Sequence, residues 1–276
     1  MELKVYGCRG SNAVHHISSK FGGNASCIAV WSDDDYVILD AGSGLIVLES
    51  ELRKKYASYP IMPKPLNIIL SHLHLDHISG LPTLESVWTS ESYVNIFTPS
   101  RDERPLVEQV FGVFSPPYWP APIAEITSAK CTEIRLGKPF QIGRFTVTAM
   151  NSSHPNSTAS YRITDGKKTL VHLLDGETST MDAVSYSALV EFCRDADMVV
   201  FDAAYSPEDY PSKVGYGHST VLDGMNLADK CNCKQMLFCH FSFHYEDAEM
   251  DRWHGFLKDT ANTKFIMAYD GLKIPV

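Results

Sequence analysis

Apolar residues recur along this chain in short runs broken by polar turns, and the repeat switches between two residues and about 3.6. Period-two or continuous apolar runs predict strands at Glu2 to Tyr6, Cys27 to Trp31, Tyr36 to Leu39 and Leu66 to Leu70, with helical periodicity over Leu45 to Tyr56 between them. The second half repeats the theme. Strands are expected near Arg144 to Met150, Ala159 to Ile163, Thr169 to Leu174, Met198 to Phe201, Gln235 to Cys239 and Phe265 to Met267. Helices are expected over Met181 to Arg194, Val221 to Lys230 and Asp247 to Leu257. The sequence carries no repeat, low-complexity tract or Gly/Ser linker, so residues 1–276 are expected to form a single domain. The predicted class is α/β, with two sheets sandwiched between helices and the loops gathered along one edge.

One stretch breaks this pattern. Between Arg101 and Lys130, the aromatics Phe111, Phe114, Tyr118 and Trp119 lie among Pro105, Pro116, Pro117, Pro120 and Pro122. Two readings stay open: an aromatic wall that stacks on a nucleobase, or an irregular loop packed onto the body.

Composition narrows the class. The 44% hydrophobic content supports a packed globule, and no apolar run approaches the roughly 20 residues that span a bilayer. Met1 to Tyr6 reads as an alternating strand rather than a secretory leader, so a cytoplasmic enzyme without membrane association is expected. Seven cysteines, several inside apolar runs, read as buried free thiols. Cys231 and Cys233 lack a second ligand pair at zinc-finger spacing, and strand alternation turns Cys239 away from its neighbour His240. The net charge of −9 argues against a grip on long nucleic acid, which depends on lysine and arginine contacts to phosphate.

Chemistry concentrates in Ser71-His72-Leu73-His74-Leu75-Asp76-His77. This cluster follows the strand predicted at Leu66 to Leu70 and precedes a helix expected to begin near Leu81. Alternate residues of an extended segment point the same way, so His72 and His74 can reach one metal ion together. Asp76 and His77 lie where the chain turns and can face a second. Imidazole mixed with carboxylate suits zinc, manganese or iron(II). Further ligand-type residues stand at the ends of other predicted strands: His154, Asp175 and His240.

With these motifs, the chain resembles the metallo-beta-lactamase superfamily, in particular its phosphodiesterase branch of tRNA 3'-end endonucleases and cyclic nucleotide phosphodiesterases. The likeness runs from Gly7-Cys8-Arg9-Gly10-Ser11 and Phe21-Gly22-Gly23-Asn24-Ala25-Ser26 through Ile38-Leu39-Asp40-Ala41-Gly42 and the His72 cluster. It continues through His154, Asp175, Gly217-His218-Ser219-Thr220 and His240-Phe241-Ser242. The resemblance implies a four-layer αββα sandwich. It also implies two divalent ions, zinc first and manganese as the alternative, one held by His72, His74 and His154 and the other by Asp76, His77 and His240, with Asp175 bridging.

In the related phosphodiesterases, the counterpart of His218 lies over the substrate phosphate. The resemblance therefore makes His218 the general acid and counts Asp76 with it among the catalytic residues. Asp202 falls near the glutamate that orients this histidine in tRNA endonucleases, and Asp40 matches the buried aspartate beneath the metal loop. His244 stands where many tRNA endonucleases carry arginine. His15, His16, His172 and His254 match no motif.

The expected activity is two-metal hydrolysis of a phosphodiester through a metal-bridging hydroxide, on a cyclic nucleotide or another small phosphodiester. The alternatives are a tRNA 3'-processing endoribonuclease, a lactone or ester hydrolase, and a non-catalytic metal-binding relative. A homodimer is implied by the same relatives, in which the aromatic segment borders the active site or a subunit interface.

Overall fold

The structure is a computed structural model that describes residues 1–15, 20–59, 63–88, 93–126 and 128–276; His16 lies outside them. The first half contributes β1 (Glu2–Gly7), β2 (Arg9–Gly10), β3 (Cys27–Ser32), β4 (Asp35–Leu39), α1 (Gly44–Lys55), β5 (Leu66–Ile69), α2 (Leu75–Ile78), α3 (Glu85–Trp88), β6 (Val94–Thr98), α4 (Leu106–Phe111) and β7 (Ala129–Glu133). The second half adds β8 (Phe140–Ile142), β9 (Phe145–Asn151), β10 (Ala159–Thr164), β11 (Thr169–Leu173), α5 (Ala183–Cys193), β12 (Met198–Asp202), α6 (Val221–Cys231), β13 (Gln235–Cys239), β14 (Phe241–Ser242), α7 (Asp247–Phe256), β15 (Lys264–Met267) and β16 (Lys273–Pro275).

Two seven-stranded sheets face each other, in the orders β16-β1-β3-β4-β5-β6-β7 and β15-β13-β12-β11-β10-β9-β8. Each is half antiparallel and half parallel, with the parallel strands β4 to β7 in one and β11, β12, β13 and β15 in the other. Side-chain alternation divides the core. Ile28, Val30, Val37 and Leu39 enter the large cluster shared with the second sheet. Their sequence neighbours Cys27, Ala29, Tyr36 and Ile38 face outward onto Leu45 and Leu48 of α1. Strands buried on both faces require helices outside them, which gives the αββα layering.

The helix expected near Leu81 begins earlier. Asp76 and His77 lie on the single turn α2, and Leu81–Thr83 is a 3-10 turn. Backbone bonds from Ala41 N–H to His77 O and from Gly80 N–H to Ala41 O, both 2.8 Å, tie α2 to the loop after β4. In the aromatic segment, Phe111 and Phe114 are buried in the outer core with Trp119 against it, whereas Tyr118 is 82% exposed. All seven cysteines are free, and Cys239 sits in the inter-sheet core. Among the described residues, no helix is long and apolar enough to cross a membrane.

Helix α6 approaches the second sheet at Gly224, where an added Cβ would lie 2.4 Å from Phe238 and 2.8 Å from Phe201. Gly224→Ala gains helix propensity of about 1 kcal/mol but overpacks this contact by about 1–3 kcal/mol. The expected outcome is a net loss of roughly 1 kcal/mol, read as a lower urea midpoint at unchanged slope.

Candidate metal centre

The parallel strands of both sheets end along one edge of the sandwich, and their carboxyl ends deliver the polar groups, as is general for such sheets. β4 runs beside β5 with Leu39 opposite Ile69, which sets Asp40 under the turn at Ser71. β12 runs beside β13 with Asp202 opposite Cys239, which brings Asp202 to the base of His240. The sheets are joined here by Tyr161 Oη–H donating to Leu70 O at 2.7 Å and Ala159 N–H donating to Ser71 O at 3.0 Å. Asp40, Asp175 and His240 all have positive φ, 61°, 56° and 65°. Such backbone is uncommon outside glycine and persists where surrounding contacts hold it.

Asp40 accepts Ser71 N–H at 2.8 Å and Ser71 Oγ–H at 2.9 Å, and its second oxygen lies 2.9 Å from His77 Nδ1. A carboxylate only accepts, so His77 Nδ1 carries a proton and Nε2 faces the cluster. There it lies 3.1 Å from His240 Nε2, 3.2 Å from Asp76 Oδ2 and 3.0 Å from Asp175 Oδ2. His240 Nε2 is 3.2 Å from Asp76 Oδ2 and 3.3 Å from Asp175 Oδ2. Ser11 N–H donates to Asp76 Oδ2 at 2.7 Å.

The other oxygen of Asp175 faces a second group. His72 Nε2 and His154 Nε2 lie 3.8 and 3.6 Å from Asp175 Oδ1, and His74 Nδ1 lies 3.3 Å from His154 Nε2. His154 Nδ1 is 2.8 Å from Gly217 O. A carbonyl accepts only, so Nδ1–H donates there and Nε2 keeps its lone pair for the cluster.

Both groups fit a cation. His72 Nε2 and Asp175 Oδ2 are buried without a hydrogen-bond partner, a costly arrangement for polar atoms. The spacings of 3.0–3.3 Å among His77 Nε2, His240 Nε2, Asp76 Oδ2 and Asp175 Oδ2 lie at or just below the roughly 3.3–3.6 Å edge of a tetrahedron whose corners are 2.0–2.2 Å from zinc. Without a cation, protons take its place. Burial opposes charge on His240, but Asp175, Asp76 and Asp202 push it up to about 9, and His77 is likewise driven well above the histidine range against its burial. The facing imidazoles hold Asp76 and Asp175 well below the usual carboxylate range despite burial. A cation and these protons compete for the same lone pairs.

His218 stands beside both groups. Its ring stacks on His240 at 5.1 Å between centroids and tilts against His154 at 4.9 Å. Its Nδ1 is 2.8 Å from Asp202 Oδ2, so the pair is closed on itself although it lies near Asp175 and His240. Thr220 and Asp223 form a capping box at the start of α6, directly after His218 and Ser219.

Other predicted residues lie apart. His244 is exposed and packs on Phe243 at 4.0 Å, outside the clusters. His15 and His254 are exposed. His172 is buried 3.8 Å from Asp40, and burial pushes it down to about 4. Sequence reasoning assigned nothing to Asn156, whose side-chain amide is 3.0 Å from His74 Nε2, and no spacing signal marks it. Ser71 was visible as the residue before His72, but its contacts to Asp40 depend on the pairing of β4 with β5.

The beta-lactamase superfamily domain matches residues 35–241, and the chain belongs to that superfamily. It is 24% identical over 243 residues to the probable metallo-hydrolase YhfI of Bacillus subtilis, covering 87% of this chain and 86% of the relative. Ribonuclease Z of Nanoarchaeum equitans is 25% identical over 219 residues, 65% of this chain and 67% of the relative. The crystal structure of YhfI superposes with a TM-score of 0.73 at 20% identity over 99% of this chain and 98% of that one. The short form of human tRNase Z superposes at 0.68 with 18% identity, over 100% of each chain. The protein is therefore a hydrolase with the metallo-beta-lactamase fold.

Burial lowers the proton affinity of His218, and Asp202, joined by Asp175, more than restores it, leaving it above the ordinary histidine value. In metal-free protein, Asp202→Asn leaves burial to act with less opposition, so the His218 titration moves to lower pH in an NMR experiment. Because the folded value is raised, the stability contributed by the pair is full below the unfolded histidine pKa and fades as pH rises through the folded one. An unchanged His218 titration in the variant contradicts the pairing.

Proposed function

We propose that this protein hydrolyses a phosphodiester with two divalent cations, one held by His72, His74 and His154, the other by Asp76, His77 and His240, with Asp175 shared between them. The observation that carries this reading is the division of Asp175, whose Oδ1 faces His72 and His154 while its Oδ2 faces His77 and His240. Nitrogen and carboxylate donors favour zinc, with manganese the alternative. When bound, such ions stabilise charge on a phosphoryl oxygen and lower the pKa of coordinated water.

The chain's own groups supply the rest. Asp202 accepts from His218 Nδ1–H, which fixes the ring and leaves Nε2 as the proton-donating atom. His218 acts as general acid and gives that proton to the departing oxygen, after which it remains bonded to Asp202 as neutral imidazole. Asp40 fixes the ring of His77 and the turn at Ser71, so both ends of the histidine segment share one buried anchor. Asp76 serves as ligand, its oxygen further oriented by Ser11 N–H.

The substrate is a small phosphodiester, with cyclic nucleotides first. The net charge of −9 supports this, because a long polyanion is repelled where lysine and arginine do not line its path. An exposed His244, where an arginine would be expected for tRNA cleavage, supports it too. The second reading, a tRNA-processing ribonuclease, is favoured by the relatives named ribonuclease Z. The homodimer and the cytoplasmic location belong to the same proposal, and light scattering reads the first.

Metal analysis and hydrolysis of bis(p-nitrophenyl) phosphate test the site. The wild-type chain is expected to hold two ions and to turn over. His154→Ala and Asp175→Ala lose metal and activity together, whereas His218→Ala keeps both ions while turnover falls about 10²- to 10⁴-fold. Equal metal loss in His218→Ala refutes its assigned role. Retained cleavage of a lactone by that variant, with no wild-type phosphodiesterase activity, favours the ester hydrolase instead.

Substrate size is tested by salt. Cleavage of 2',3'- or 3',5'-cyclic nucleotides is expected to change little between 50 and 200 mM salt, whereas a tRNA nuclease loses affinity steeply, by about 10³-fold or more for six or more phosphate contacts. Tight, salt-sensitive binding of precursor tRNA overturns the small-substrate reading.

A further inference from the structure

Glu177 is 3% exposed, and among the described residues no ion pair includes it. Its carboxylate is satisfied by neutral donors alone. Oε1 accepts Tyr210 Oη–H at 2.7 Å and Gly215 N–H at 2.8 Å, while Oε2 accepts Gly217 N–H at 2.9 Å and Gly215 N–H at 3.0 Å. Its own backbone N–H donates to Ser153 O at 3.0 Å. One residue thereby joins the loop after β11, the loop that presents His154, and the turn that leads into His218. Burying an unpaired carboxylate is costly unless its oxygens are filled, and charged acceptors make the stronger hydrogen bonds. Expensive burial of this kind marks a position where geometry matters.

The turn it holds is constrained from the other side as well. Gly215 and Gly217 both have φ of +87°, and a Cβ on Gly217 would lie 2.3 Å from His154 Nδ1. Gly217 is gripped at both ends: its N–H by Glu177, and its carbonyl by His154 Nδ1–H at 2.8 Å. Ser219, just beyond His218, donates through Oγ to Gly176 O at 2.6 Å and accepts Thr178 N–H at 3.0 Å. His218 is therefore bracketed by contacts to the segment 176–178.

We propose that Glu177 is a positioning residue: by locking the Gly215–Gly217 turn, it sets which nitrogen of His154 faces the cluster and where His218 stands. This rests on the roles given above to His154 and His218. Without the clamp, Gly217 O is free to swing, His154 loses the acceptor that fixes its tautomer, and His218 keeps Asp202, Ser219 and its ring contacts but loses the fixed turn before it. Two separate functions then weaken together, which loss of one ligand or one acid alone would not produce.

Glu177→Gln keeps the shape but turns an NH₂ group toward donors, and Glu177→Ala removes the clamp. Three readouts decide. Amide exchange at Gly215 and Gly217 in the Gln variant is expected to quicken by roughly 10-fold or more under native conditions. Zinc affinity, measured by competition with a chromophoric chelator, is expected to fall about 10-fold, as for an outer contact to a ligating histidine. The rate with diphenyl phosphate, whose phenolate is the poorer leaving group and needs the proton more, should fall further than the rate with bis(p-nitrophenyl) phosphate.

Unchanged exchange with unchanged zinc affinity in the Gln variant overturns the proposal. So does an equal drop on both phosphates with intact zinc affinity, which is the mark of general fold support. The exchange and zinc readouts need no turnover. A wild-type chain that cleaves neither phosphate therefore counts against the hydrolytic reading, while the clamp is still decided by the other two measurements, and by the Gln variant alone where Glu177→Ala does not fold.

Discussion

The structure depends on a crowd of acceptors that must not be left alone. Imidazole nitrogens and carboxylate oxygens meet at 3.0–3.3 Å in a buried place, with protons or cations as the only species that can sit between them. Removing such groups from water opposes folding of the loops that carry them. The fold withstands it because every carrying loop is rooted in a strand of the inter-sheet core and tied to its neighbour by a backbone or hydroxyl bond. The left-handed backbone at Asp40, Asp175 and His240 belongs to the same bargain, in which local strain is held by the surrounding sheet.

Shared anchors then convert a set of separate side chains into one device. Asp40 reaches both Ser71 and His77, so the ends of the histidine segment move as a unit. Asp175 faces both nitrogen groups. Gly217 receives Glu177 on one side and His154 on the other. Each anchor is buried, and each bond is strengthened by the low-dielectric surroundings that make its loss expensive. The electrostatics of His218 follow from the same economy, since the carboxylates Asp202 and Asp175 together outweigh the burial that favours a neutral ring.

Much of the fold was legible in the order of residues. Strands buried on both faces, such as β12 and β13, appear as uninterrupted apolar runs, and α5, α6 and α7 appear at nearly their observed bounds. β7 was not legible, because Ala129–Glu133 holds no apolar run and is a strand only through its pairing with β6. The aromatic and proline segment was ambiguous for a related reason: Phe111 and Phe114 fill the outer core while Tyr118 projects outward, and composition does not separate the two.

Residue identity and spacing determined which side chains are of metal-binding type, their grouping at strand ends and the kinship with one superfamily, because side-chain chemistry and the period of the backbone are local properties. Tertiary structure alone decided how Asp175 divides its oxygens, which ring nitrogen of His77 and of His154 faces the cluster, and that Glu177 closes on Gly215 and Gly217. Those features arise where loops distant in sequence meet, and a hydrogen-bond acceptor supplied by another strand leaves no trace in the residues beside the donor.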